Sequence, residues 1–129
     1  DLLKDNVTEC RDRLFGYFDE VYRRLFGDAC REECRAAAAY VLARNIICGD
    51  ALTMKTVGRN PEPIVFSEWS PVNGSLVKRR DYSLAHLLVY QPMDGPSLFS
   101  DLGEEAFIPK PVRDFPLTHY LKLAEAEHA

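Results

Sequence analysis

The chain has 129 residues, 47% of them hydrophobic and 28% charged, with 16 Lys and Arg against 20 Asp and Glu for a formal charge of −4. That length suits a single domain around one core, and the composition excludes a disordered chain. The acidic balance excludes condensation onto nucleic acid by overall charge, so any such contact needs a local basic patch.

Residues 5–26 place Val7, Cys10, Leu14, Phe18, Val21 and Leu25 at intervals of three and four, which predicts one long amphipathic helix. Gly27 and Asp28 interrupt it, and Asp28 is the expected N-cap of a second helix over 29–44, acidic in its first turn and closely packable at Ala36 to Ala39. Asn45 ends that helix. The apolar run Ile46, Ile47, Cys48 then predicts a parallel strand covered on both faces, ending on Gly49 and Asp50. A second strand is expected over 64–69, bounded by Pro63 and Pro71, with loop between 56 and 63. The Asn73-Gly74 pair suits a tight hairpin, and Ser83 is expected to cap a short helix through Val89. From Gln91 on, prolines at 92, 96, 109, 111 and 116 predict an irregular tail, anchored by Leu98, Phe99, Phe107, Ile108, Phe115 and Tyr120. The chain is thus expected to be one α/β domain, with residues 1–70 forming the layered part and 71–129 an irregular, proline-rich extension.

The four cysteines, Cys10, Cys30, Cys34 and Cys48, fit neither a zinc pair nor a disulfide scaffold and are expected as buried thiols. Cys30 and Cys34 share a helix face, but His86, His119 and His128 lie far off in sequence, so no metal site is expected. Asp101, Glu104 and Glu105 lack the spacing of a calcium loop and read as a solvated acidic turn. No apolar run approaches the ~20 residues of a membrane span, and there is no secretory leader pattern, so a cytoplasmic protein without membrane contact is expected.

Glycine at a strand end permits close backbone approach to a ligand, and a neighbouring Asp accepts hydrogen bonds from amines or hydroxyls. Gly-Asp in that position is equally a plain turn. Three segments in order, DLLKDNVTECRDRL, ARNIICGDALTMKT and PIVFSEWSPVNGSLVKRRDYS, resemble the S-adenosylmethionine-dependent N6-adenine DNA methyltransferases of restriction-modification systems. The resemblance implies a partial Rossmann-like sheet from the second strand onward. By it, Asp1 would hold the ribose hydroxyls of S-adenosyl-L-methionine, and Asp50 would receive the adenine amino group, with Leu2, Ala51 and Leu52 lining the same edge. Two parts of the family pattern are missing: the glycine-rich loop and any Asn-Pro-Pro-Tyr or Asp-Pro-Pro-Tyr tetrapeptide, which serves the flipped adenine. No catalytic residue is therefore assigned, and the chain alone is not expected to transfer a methyl group.

Lys78, Arg79 and Arg80, flanked by Trp69 and Tyr82, form the concentrated basic patch of the sequence. It reads either as a phosphate contact with stacking aromatics or as a solvated turn balanced by Glu68 and Asp81. Two functions follow: the cofactor-binding part of an adenine-specific DNA methyltransferase, completed by an upstream segment or a protein partner and acting on DNA, or a non-catalytic DNA- or protein-binding module of the same ancestry.

Overall fold

The computed structural model describes residues 1–88 and 109–126. These form a mixed α/β architecture of three helices and two small antiparallel sheets. The expected anchors Leu98, Phe99, Phe107 and Ile108, the acidic group Asp101, Glu104 and Glu105, and His128 all lie outside the described residues.

Helix α1 (Lys4–Phe26) begins where the Asp1 carboxylate accepts from the Leu3 N–H at 2.8 Å and from Asn6 Nδ2 at 3.3 Å. It stops at Gly27, whose positive φ of 51° is backbone that glycine adopts readily, its N–H donating to the Arg23 carbonyl. The covered stripe matches the expected one at Val7, Phe18 and Val21 and departs from it elsewhere. Val7 is buried and Arg11, Phe15, Phe18 and Tyr22 are half-buried, whereas Cys10, Leu14 and Leu25 are exposed. Aromatic packing sets this face: Phe15, Phe18, Tyr22 and Phe26 follow one another with ring centroids 5.3 to 6.2 Å apart. None of the four thiols is buried, because Cys10 lies beside that stripe and the other three are only half-covered.

Helix α2 (Glu32–Asn45) starts later than expected. Gly27–Ala29 form a 3-10 turn and Cys30 is extended, so Asp28 caps nothing; Arg31 is the N-cap and its N–H donates to the Tyr22 hydroxyl at 3.0 Å. Glu32 and Glu33 in the first turn favour the positive end of the helix dipole, as the acidic pattern predicts. At the other end Arg11 donates to the Ala43 and Ile46 carbonyls, satisfying acceptors that the last turn leaves open. Asp19 and Arg35 join the two helices at 2.6 Å.

The expected strand at 46–48 is displaced. Ile46 is a bend, and strand β1 (Gly49–Asp50) runs antiparallel to β2 (Lys55–Thr56) across a turn in which Met54 has φ 57°. The few residues after Asp50 can only fold straight back, which makes the following strand β2 an antiparallel partner. Glycine suits this position, since a Cβ would stand 2.5 Å from Ile64 Cδ1 and 3.2 Å from the Lys55 carbonyl oxygen.

The larger sheet is built on β3 (Val65–Asn73) and β4 (Leu76–Ser83), a long antiparallel hairpin. Gly74, with φ 54° at the first position of the two-residue turn, has the primed-turn geometry that matches strand twist. Pro71 does not end β3 as expected. The strand lies at the sheet edge, where a missing N–H costs no ladder bond, and the register shifts just beyond it. Residues 71–83 therefore continue the sheet, and a division at residue 70 cuts through β3. Ser83 closes β4 and α3 (Leu84–Leu88) follows, with the Leu84 N–H bonded to the Ile64 carbonyl; Val89 lies outside the described residues. The C-terminal part returns along β4, pairing through β5 (Arg113–Asp114) and β6 (Thr118–His119), and ends in a 3-10 turn at Tyr120–Lys122 packed on α2. Among the described residues no helix is long and apolar enough to cross a membrane.

Candidate functional site

Asp1 and Gly49 are joined directly. The Gly49 N–H donates to the Asp1 carbonyl at 2.8 Å, and the Asp1 amino nitrogen donates to the Ile47 carbonyl at 3.4 Å. One residue thus bonds to the two neighbours of Cys48, which is the hydrogen-bond pattern of a parallel pair. Asp50, the next residue, turns its Oδ1 to the Leu52 N–H at 2.8 Å, so this carboxylate holds the tight turn before β2. The Cys48 thiol donates to the Leu2 carbonyl at 3.6 Å.

Each Asp1 oxygen already accepts one bond, and each retains a further lone pair. Leu2 is 57% and Leu52 93% exposed, with Ala51 open beside them. The structure therefore brings Asp1, Leu2, Asp50, Ala51 and Leu52 to one region, two carboxylates with uncovered apolar neighbours.

The basic patch is not a turn, and its members part company. In a strand alternate residues face opposite ways. Lys78, Arg80 and Tyr82 share one face, where Lys78 pairs with Asp114 at 2.6 Å, Arg80 lies 3.5 Å from Glu68, and the Tyr82 hydroxyl donates to Glu68 at 3.3 Å. The Lys78 ammonium holds the Asp114 carboxyl below its ordinary range, and burial, aided by Glu68, pushes the Tyr82 phenol up. Arg79 points the other way and is 5% exposed. Its guanidinium grips both oxygens of Asp81 at 2.8 Å, donates to Ser67 Oγ at 3.2 Å and Tyr40 OH at 2.6 Å, and sits 4.0 Å from the Phe115 ring centre. Trp69 shares that inner face, its Nε1 donating to Asn45 Oδ1 at 2.8 Å. Arg79 and Trp69 thus serve the interior, and Lys78 and Arg80 carry paired charge.

Sequence reasoning missed this buried network of Tyr40, Ser67, Arg79 and Asp81, and also a cleft of about 390 Å³ lined by Arg11, Arg44 and Arg113. The available signal for the first was the spacing of Arg79 and Asp81, complementary charges two apart and hence on one strand face. Among the described residues no three His, Cys, Asp or Glu side chains gather to hold a metal ion. No protein-family model, curated protein or solved structure matches the chain.

Proposed function

We propose that this chain supplies the S-adenosyl-L-methionine-binding edge of an N6-adenine DNA methyltransferase, Asp1 taking the ribose hydroxyls and Asp50 the adenine amino group. The observation that carries the reading is the pair of hydrogen bonds between Asp1 and the residues flanking Cys48, because it brings residue 1 beside the segment that leads into Asp50. Leu2, Ala51 and Leu52 offer the apolar surface an adenine ring needs, and all three are exposed. The bound cofactor supplies the methyl group. This chain's part is to bind and orient it, and no side chain here is assigned to the transfer itself.

A second reading, a non-catalytic binding module of the same ancestry, is favoured by the lack of an Asn-Pro-Pro-Tyr or Asp-Pro-Pro-Tyr tetrapeptide in the sequence. Calorimetric titration with S-adenosylhomocysteine separates the two. Saturable binding that Asp50→Ala weakens by about tenfold, the scale of one hydrogen bond to a charged group, supports the cofactor edge. Equal affinity in the variant, or no binding by a folded wild-type chain, overturns it in favour of the module.

A further inference from the structure

Several guanidinium groups of the fold have a carboxylate partner: Arg35 has Asp19, Arg79 has Asp81, and Arg80 has Glu68. Arg11 and Arg113 are different. Arg11 is half-buried and donates only to backbone carbonyls of Ala43 and Ile46, which accept hydrogen bonds without cancelling its charge. Arg113 stacks on the Phe115 ring at 4.9 Å and, among the described residues, meets no carboxylate. Both line the same cleft between the end of α2 and the inner face of β3 and β5, together with Arg44.

Two carboxylates also line this cleft, Glu62 and Asp81, and Asp81 is already held at both oxygens by Arg79. Leaving Arg44 aside, Arg11 and Arg113 face the single carboxylate Glu62, so the walls carry a small positive excess in a molecule whose formal charge is −4. A concave site with an excess of one sign draws counter-ions to it. A volume of about 390 Å³ accepts a phosphoryl group together with part of what carries it. Guanidinium groups match phosphate oxygens in forked geometry, and Ser67 and Thr56 add polar wall.

We infer that the cleft bounded by Arg11, Arg44 and Arg113 is a binding site for a phosphate group. The inference does not rest on the cofactor reading, since the residues and the region are different. Its source is either the backbone of a nucleic acid or a small phosphorylated ligand, and the chemistry of recognition is the same.

Titration of the 15N-labelled chain with inorganic phosphate and pyrophosphate, without any cofactor, tests it through the Nε–Hε resonances of Arg11 and Arg113. The expected result is a saturable shift of both, with Arg113→Gln binding at least about fivefold more weakly and Arg113→Lys between the two. Arg113 is exposed, so its variants leave the core untouched; Arg80→Gln, on the opposite sheet face, and Asp50→Ala should bind as wild type does. No saturable shift by about 20 mM anion, or equal affinity in Arg113→Gln, overturns the proposal. A short DNA duplex followed by anisotropy identifies the source: a parallel loss in Arg113→Gln assigns a nucleic-acid backbone, and loss for phosphate with unchanged DNA affinity assigns a small ligand.

Discussion

Arg79 and Asp81 put a full ion pair inside the sheet, at 5% and 2% exposure, with the Ser67 and Tyr40 hydroxyls bonded to it. Removing one partner strands the other charge away from water. Arg79→Ala should cost about 3–5 kcal/mol in urea unfolding, whereas replacing both together by Met and Leu should cost far less, because no unpaired charge remains. The sequence does not advertise this, since Lys-Arg-Arg-Asp read by charge alone belongs on a surface; only the two-residue alternation, once the hairpin is fixed, sends Arg79 inward. Asp19 tests a different balance. The Arg35 guanidinium, backed by Arg23, holds the Asp19 carboxyl below its usual range. A depressed folded value contributes stability above the unfolded pKa of about 4, lost as pH falls through the folded one. Asp19→Asn should therefore lower Tm at pH 7, and the difference from wild type should shrink as pH falls through the folded-state value.

At the level of elements, the two helices were legible because their punctuation is local: Gly27 ends α1 by its own backbone freedom, and the acidic pair opens α2. The strand after α2 was not. Ile46 to Cys48 have the composition of a buried strand, but pairing is decided by what lies beside them, and the antiparallel partner β2 sits behind a tight turn that composition does not reveal. Gly49 records that pairing sterically. Gly49→Ala should destabilise by about 1–3 kcal/mol, and Ile64→Val in the same chain should recover part of the loss, because it deletes the methyl at 2.5 Å while the Lys55 carbonyl stays. The hairpin, by contrast, was announced by Asn73-Gly74 and differs only in centring its turn on Gly74 and Ser75.

Over the molecule as a whole, the apolar interior is thin: among the described residues the buried hydrophobic side chains are Val7, Ala37, Ile64 and Leu123, while Leu14, Tyr17 and Leu25 on α1 stand open. Those exposed groups contribute little to this chain's own stability. Leu25→Glu should shift Tm by no more than about 2 °C, as a surface substitution does. What ties the layers instead is polar: Asn45, at the end of α2, donates to the Ser67 carbonyl at 2.7 Å and accepts from Trp69, stitching helix to hairpin. Trp69 is the one tryptophan in the sequence. Its indole is consequently an intrinsic optical probe of that seam: an emission red shift that precedes loss of helical circular dichroism would mean the hairpin peels away first, and coincident curves would mean helix and sheet melt as one cooperative unit.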